Sequence, residues 1–381
     1  MNNIRSIFFT LFAIYFAQGT LYPQGSIISQ AALLLIFVIS GFFLVKTLTQ
    51  QNNKNKFYKA WTALLLLNIL GFVFTGSLSD PNHINMFKGI LMASLPFYPF
   101  YYFSQQGILK AKHLLVYFIL MLPITILESF FNVNQILAER LSSNIDVVNN
   151  IAYSFVALIP FTFLFKKKKI YAIASMMILM FFIIQGGKRG AFISGTMGFI
   201  VFTYYQLKTI DEKYRYRSYL LVFIGVLGLS YFAYDVFQNN EFLIDRLQAI
   251  GQGDSSGRDR IYANIFNAWL NTENMFNLLF GFGFAASLSL SGTGNYAHND
   301  WLELLSNFGL LGIVVYMFLF LTAISYIRNK KWDIDKRLLL LTVVLIWFFD
   351  AMFARWYISM SGFAQPILLA YLIGNENRSI E

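Results

Sequence analysis

Three short motifs carry the residues of this chain that are best suited to chemistry. They are Gly186-Gly-Lys-Arg-Gly-Ala191, Ser256-Gly-Arg258 and Tyr296-Ala-His-Asn-Asp300, the last of which contains one of only three histidines. Arginine presents a planar fork of N–H donors that suits phosphate oxygens. A neutral imidazole can take a proton from a hydroxyl group. Together the motifs suit an anionic lipid headgroup, most simply a diphosphate, with a base beside it.

Each motif lies at the predicted start of a helix, where free backbone N–H groups and the positive end of the dipole favour an anion. Asp300, followed by Glu303 and an apolar run, is typical of a capping box, which predicts that a helix opens at Asp300 with His298 just outside it. The dipole disfavours a charged imidazole, whereas the two carboxylates favour it. The direction of the His298 pKa therefore stays open at this point.

Several neighbouring polar residues are candidates for supporting roles. These candidates are Lys188, Arg260, Asn299, Asp300 and Glu303. The three that follow His298 are expected to cap and orient the helix start rather than to react. A simpler interpretation of all the charged groups is that they flank membrane helices and meet lipid.

Three further polar residues are expected to have structural roles at most. Asp350 lies inside a predicted span, where a charge is costly, and is expected to pair with a polar neighbour or with Arg355. The remaining histidines, His83 and His113, lie in predicted loops and are interpreted as incidental.

The composition is that of a membrane protein. Of 381 residues, 57% are hydrophobic and 13% are charged, and cysteine is absent. These proportions exclude an ordinary soluble domain, and the lack of cysteine excludes disulfides and thiolate metal sites. The net charge of +10 is better explained by membrane topology than by nucleic-acid binding, so no nucleic-acid partner is expected.

The apolar segments predict an all-α polytopic membrane protein with about twelve transmembrane helices in a single integral membrane domain, residues 1–381. The expected spans are 7–23, 26–46, 58–77, 87–103, 114–130, 151–166, 170–185, 190–207, 219–237, 303–327, 338–358 and 360–374. The first is expected to be a retained span and not a signal peptide. With the N-terminus inside, every cytoplasmic connection carries basic residues, as the positive-inside rule requires. Both termini are therefore predicted to be cytoplasmic.

The largest external connection, residues 238–302, is expected to carry part of the active site. Within it, Ile261, Ile265 and Trp269 recur with helical spacing, which predicts an amphipathic helix lying on the membrane surface. The sequence contains no His-Glu-x-x-His motif and no aspartate cluster. Neither a metal nor another cofactor is therefore expected.

The motifs, taken in order, resemble those of the O-antigen ligase and O-antigen polymerase superfamily of polytopic membrane glycosyltransferases. In that superfamily an Arg-Gly pair begins a mid-chain span, a Ser-Gly-Arg motif opens the large external loop, and a His-Asn motif with a later Gly-Leu-Leu-Gly run closes it. The corresponding residues here are Arg189-Gly190, Ser256-Gly257-Arg258, His298-Asn299 and Gly309-Leu-Leu-Gly312. The resemblance covers residues 186–312, roughly a third of the chain, and departs from the usual pattern at Lys188, where a small polar residue is common.

This resemblance implies transfer of a glycan from an undecaprenyl-diphosphate-linked donor to an acceptor hydroxyl, at the external face of the bacterial cytoplasmic (inner) membrane. It implies His298 as the catalytic base, Arg189 and Arg258 as the groups that hold the diphosphate, and independence of metal ions. A single displacement would invert the anomeric configuration.

Two enzymes and one non-enzyme remain to be distinguished. A polymerase, which joins lipid-linked repeat units and for which a chain-length regulator is a candidate partner, is preferred. A ligase would use the same donor and transfer the glycan to the lipid A-core of lipopolysaccharide. A transporter of lipid-linked saccharide is less favoured, since no internal repeat is evident and the notable charges crowd one surface. A purely structural scaffold would leave the three motifs unexplained.

Overall fold

Helices account for the regular elements that the structure describes. This computed structural model describes residues 2–50, 55–142, 150–166, 168–210, 213, 215–238, 257–358 and 364–376. In chain order the helices are α1 (Asn2–Phe16), α2 (Ile27–Thr49), α3 (Lys56–Thr75), α4 (Pro81–Ser94), α5 (Phe97–Gln105), α6 (Ala111–Ser142), α7 (Ala152–Leu158), α8 (Lys169–Gln185), α9 (Arg189–Lys208), α10 (Arg215–Gln238), α11 (Arg258–Leu270), α12 (Met275–Phe280), α13 (Ser287–Leu290), α14 (Asp300–Ile327), α15 (Ile334–Phe353) and α16 (Ala364–Gly374). The predicted all-α class is confirmed for these residues.

Within the described ranges, four helical segments are long and apolar enough to cross a membrane. They are Ile27–Thr49, Lys56–Thr75, Ala111–Asn132 and Asp300–Ile327, which correspond to the expected spans 26–46, 58–77, 114–130 and 303–327. The protein is therefore a multi-pass membrane protein. The other eight expected spans and the cytoplasmic position of both termini stay predictions.

Several expected spans differ from single continuous helices, among them 7–23, because α1 ends at Phe16. Residues 87–103 are divided between α4 and α5, because Pro96 has no N–H for a continuing helix and instead stands at the N-cap of α5. Residues 151–166 form α7 followed by a 3-10 helix, Ile159–Phe165, which has a proline in its first turn. The expected span 338–358 ends as a helix at Phe353, since Ala354 has φ −143° and ψ −133°.

Aromatic packing fixes the segment that follows α15. This helix packs along α9 on one side and against α14 on another. The indole ring of Trp347, within α15, lies against Phe320 of α14 with ring centroids 3.9 Å apart, and stacks on Trp356 at 4.5 Å. Because such ring pairs bury large apolar surfaces in defined orientations, they hold the chain after α15 against the core.

A kink at Gly309 divides α14 and ties it to the external connection. Gly309 has φ 59° and ψ −147°, which are not helical angles. The carbonyl groups of Ser306 and Asn307, just before the kink, accept hydrogen bonds from the N–H of Phe282 at 2.8 Å and of Gly283 at 3.3 Å. The kink thereby lets carbonyl groups of a membrane helix bind a segment outside that helix.

Glycine is required on both sides of this junction. A Cβ atom at Gly309 would lie 2.6 Å from the Leu278 carbonyl oxygen, and one at Gly281 would overlap the backbone of Asn307 and Phe308. A Cβ atom at Gly312 would lie 2.8 Å from the Leu304 oxygen. The Gly-Leu-Leu-Gly run thus has a structural explanation, because both of its glycines allow close backbone approach.

Replacing Gly309 by alanine is expected to destabilise the protein by about 1–3 kcal/mol, because alanine disfavours this positive φ and its Cβ meets packed backbone. The midpoint of thermal unfolding in detergent measures the effect. Gly41→Ala in α2 is the matched control, since a Cβ there meets nothing within 4 Å. Equal midpoints for the two variants would contradict the proposed close packing at Gly309.

Candidate functional site

The C-terminal end of α15 is the point where the three sequence motifs meet. The Arg258 Nη1 donates a hydrogen bond to the Phe353 carbonyl oxygen at 2.7 Å. The Asn299 Nδ2 donates to the neighbouring Met352 oxygen at 3.2 Å. A Cβ atom at Gly190 would lie 3.3 Å from the Phe353 Cβ. The last carbonyl groups of α15, which have no partner inside their own helix, thus bind groups from two other elements and adjoin a third.

The Arg-Gly pair begins α9 in a crowded position. Arg189 is the first residue of this helix, and Lys188, with an extended backbone, is its N-cap. Both side chains are half-buried. A Cβ atom at Gly190 would overlap the Tyr153 hydroxyl group of α7. The glycine therefore allows the start of α9 to approach α7 and α15, which explains why an arginine here is followed by glycine.

The second motif begins α11, as predicted. Gly257 is the N-cap and has a left-handed backbone with φ 75°, which glycine adopts readily. The buried Ile261 and Ile265 pack against Ala297, next to His298. The predicted helix is confirmed, while its contact with the membrane surface stays a prediction. Ser256, residues 239–255 of the external connection, and residues 360–363 of the last expected span lie outside the described residues.

Tyr262, one turn into α11, lies beside the second and third motifs. Burial raises the pKa of its phenol, while the charge of Arg258 and hydrogen bonding to Asn299 lower it. Arg260 is exposed, and among the described residues nothing connects it to this cluster. Four of the five supporting candidates therefore lie in or directly beside the cluster, and Arg260 does not.

A buried carboxylate holds the backbone around His298. His298 has φ 52°, an uncommon angle for a residue with a side chain. The Glu303 carboxylate is fully buried and accepts hydrogen bonds from the Ala297 N–H at 2.6 Å and the Ser287 Oγ at 2.5 Å. It also accepts from the His298 N–H. These bonds oppose the tendency of the segment to relax to a more ordinary conformation.

The His298 imidazole is uncharged at neutral pH. Burial is the largest cause that lowers its pKa, to about 4, and the positive charges of Arg355, Arg258 and Lys188 lower it further. The sequence alone does not show whether the pKa of His298 is raised by the two carboxylates or lowered by the helix dipole. Burial and the nearby cations lower it. A half-buried neutral imidazole has a lone pair with which to accept a proton.

The start of α14 confirms one expectation and corrects another. The helix opens at Asp300, as predicted, but the N-cap is Asn299, whose Oδ1 accepts from the N–H of Trp301 and Leu302 at 3.0 and 3.2 Å. Asp300 is not the cap. Its buried carboxylate accepts instead from the Trp356 N–H at 3.0 Å and the Tyr316 hydroxyl at 2.7 Å. The expected capping role of Asn299 is confirmed, whereas the capping-box interpretation of Asp300 was wrong by one residue.

Arg355 is the site residue that the sequence reasoning missed. The sequence suggests it only as one of two alternative partners for Asp350. The other alternative, a polar neighbour, is confirmed, because Asp350 accepts a hydrogen bond from the Ser194 hydroxyl at 2.6 Å. The Arg355 guanidinium lies over the Tyr296 ring, 4.5 Å from its centroid. The signal that could have identified it was its membership of the small set of basic residues on the predicted external face.

The other two histidines lie in the first turns of α4 and α6 and not in loops, so that expectation was wrong. The His83 Nδ1 accepts from the Ser77 N–H at 3.1 Å. The His113 Nδ1 lies 3.0 Å from the Arg5 Nη1 and accepts from the Lys110 N–H at 3.1 Å. Within the described ranges, no group of three or more His, Cys, Asp or Glu side chains is arranged to hold a metal ion.

Comparison with known proteins identifies a domain that contains this whole cluster of motifs. The family model described as O-antigen ligase matches residues 174–317. No curated protein matches the chain. The match includes Arg189, Arg258 and the His298 segment, and it extends through the kink at Gly309. Residues 174–317 are therefore similar to the O-antigen ligase family, which agrees with the resemblance to the O-antigen ligase and polymerase superfamily that the motifs carry.

Proposed function

We propose that this protein is a surface-polysaccharide polymerase, which transfers a glycan from an undecaprenyl-diphosphate-linked donor to a sugar hydroxyl of a lipid-linked repeat unit. The reaction takes place at the external, periplasmic face of the bacterial inner membrane. The observation that carries the proposal is the meeting of Arg258, Asn299 and the start of α9 at the last turn of α15, next to a neutral histidine. The match to the O-antigen ligase family model covers Arg258, Asn299, His298 and the start of α9, although not α15.

The leaving group of this reaction is a diphosphate, so the site has to stabilise a departing anion more than it has to protonate one. Arg189 and Arg258 supply positive charge and N–H donors for the phosphate oxygens. The positive end of the α9 helix dipole adds to this stabilisation. Since this charge is supplied by side chains and a helix end, the proposed step proceeds without a metal ion.

The acceptor hydroxyl is a poor nucleophile until its proton is removed. In the proposed step the imidazole of His298 takes that proton, and the hydroxyl oxygen bonds to the anomeric carbon as the bond from that carbon to the diphosphate breaks. The electron pair of the broken bond leaves on the diphosphate. Because attack and departure occur on opposite faces of the sugar, the product has the inverted configuration. The imidazolium then loses its proton to water.

A ligase is the second candidate, and the description of the matched family favours it. It would use the same donor and the same residues, with lipid A-core as acceptor. Incubation with purified lipid-linked repeat units distinguishes the two enzymes. Elongation without any other acceptor supports the polymerase, whereas transfer only after lipid A-core is added supports the ligase.

His298→Ala is expected to lower the rate of glycan transfer by about 10²–10⁴-fold, because no other group would take the acceptor proton. Transfer by purified protein measures this, with detergent gel filtration to verify the fold. The control is His83→Asn, whose amide oxygen can still accept from the Ser77 N–H, and it should react like the wild type. Wild-type transfer by His298→Ala would eliminate the proposed base.

The dependence of kcat/KM on pH should lack a transition near the ordinary histidine pKa. The imidazole acts as a base only when neutral, so activity is lost as the pH falls through its pKa. Because that pKa is lowered to about 4, the acidic limb should lie below pH 5, with no loss between pH 8 and pH 6. Initial rates at low donor concentration measure the profile, and an acidic limb at the ordinary value of about 6.5 would contradict this environment for His298.

Glu303→Gln should lower kcat by roughly tenfold to a hundredfold while changing KM little. The neutral amide accepts more weakly than a carboxylate from the Ala297 and His298 N–H groups, so the imidazole is held less firmly against the acceptor. Kinetics at varied donor concentration separate the two constants. Glu273→Gln, at an exposed position of the same external connection, is the control. A change confined to KM would assign Glu303 to donor binding instead.

A further inference from the structure

We infer that Arg355 is a further anion-binding residue of this site, which holds an oxygen of the donor diphosphate on the Tyr296 side of His298. The inference rests on the proposed function, because it assigns a third cationic group to the same substrate. Arg355 belongs to residues 354–358, the non-helical segment that follows α15. It lies outside residues 174–317, over which the family model matches.

The backbone next to Arg355 is fixed by Asp300. Both oxygens of this fully buried carboxylate accept from the Trp356 N–H, at 3.0 and 3.1 Å, and one accepts from the Tyr357 N–H at 3.3 Å. A buried carboxylate is stable only where such donors are held in place. Since Asp300 is two positions after His298, one short segment sets the positions of both the imidazole and Arg355.

The Arg355 guanidinium lies over an aromatic ring, a contact that uses its charge and not its N–H donors. The guanidinium lies 4.5 Å from the centroid of the Tyr296 ring, and the Tyr296 hydroxyl is itself fixed by donation to the Asn82 carbonyl oxygen at 3.0 Å. A cation–π contact attracts the guanidinium through its charge. The contact therefore holds Arg355 in place and leaves its N–H donors available for a ligand.

These donors have no acceptor within the part of the chain that the structure describes. No carboxylate of those residues lies within 4 Å of the Arg355 guanidinium, and none of their oxygens accepts a hydrogen bond from it. The side chain is nevertheless half-buried. A guanidinium that is partly removed from water with its donors unused is well matched to an anionic ligand.

Arg355 also supplies what Arg258 lacks. The Nη1 of Arg258 is already bound to the Phe353 carbonyl oxygen, so only part of its fork is available to a phosphate. The charges that act on His298 come from three separate elements, namely Arg355 after α15, Arg258 of α11 and Lys188 before α9. The buried Glu303, which faces Arg355 and Tyr296, is engaged by backbone and Ser287 donors. A diphosphate carries enough negative charge to engage several of these cations at once.

The test measures binding of undecaprenyl diphosphate, which has no sugar, to the full-length protein in detergent. Arg355→Gln should raise the Kd about tenfold or more, as expected for loss of a hydrogen bond to a charged group. Arg355→Lys should give an intermediate Kd, because it keeps the charge but not the fork. Arg328→Gln, at the other end of α14, is the matched control and should bind like the wild type.

The outcomes distinguish this inference from the proposed function. If the wild type binds undecaprenyl diphosphate no better than undecaprenol, or if Arg258→Gln binds as the wild type does, the proposed function is wrong. If Arg258→Gln binds weakly and Arg355→Gln binds normally, only the role of Arg355 is overturned. That result, with transfer lost solely for repeat units that contain an acidic sugar, would assign Arg355 to a carboxylate of the acceptor.

A pH profile separates anion binding beside His298 from a general structural effect. Removing the Arg355 charge should raise the pKa of His298, so the acidic limb of kcat/KM in Arg355→Gln should move to higher pH, while Arg355→Lys keeps the limb of the wild type. An unchanged acidic limb in Arg355→Gln would contradict the inference. A large fall in the midpoint of thermal unfolding in both Arg355→Gln and Arg355→Lys would also contradict it, because the effect would then be structural.

Discussion

The site depends on hydrogen bonding to two buried carboxylates, one turn apart, at the start of α14. Asp300 and Glu303 are both fully buried, and each is stable only because backbone N–H groups and hydroxyl groups are fixed around it. Asp300 takes its donors from the segment after α15, and Glu303 takes its donors from the segment before α14. The same bonds that satisfy the carboxylates therefore set the positions of Arg355 and His298.

A second set of hydrogen bonds connects the motifs to the C-terminal end of α15. The last carbonyl groups of α15 have no N–H donor within their own helix, and the side chains of Arg258 and Asn299 donate hydrogen bonds to two of them. A helix end in an apolar protein is thus satisfied by side chains that also belong to the motifs. These residues therefore have a structural role beside their proposed chemical one, so substitutions that test the reaction also alter packing.

Local features of the sequence predicted much of this arrangement. The start of α14 at Asp300 and the start of α11 at Arg258 followed from helix signals. Four long apolar helices agree with expected spans. The roles of His298, Arg189 and Arg258 stay predictions, although Arg258 and the segments that carry the other two adjoin the end of α15.

Other features depend on contacts that no local pattern encodes. Asp300 has the sequence context of a cap, but its backbone donors come from residues 56 and 57 positions further along the chain. Asp350 has Ser194 as its partner across two packed helices. Arg355 belongs to no sequence motif, and its contact with the Tyr296 ring is a tertiary contact that local sequence does not predict. Proline predicts the break at Pro96, but the apolar run around it obscured that signal.

The kink at Gly309 has a mechanical consequence. The helix angles are interrupted at Gly309, and the carbonyl groups before it bind residues 282 and 283, so Asp300–Phe308 is attached directly to the external connection. The lower part of the helix, which has lipid-facing residues such as Val314 and Leu321, can tilt as bilayer thickness changes. We expect that tilt to be absorbed at a single glycine, which leaves the two carboxylates and the groups they hold undisturbed.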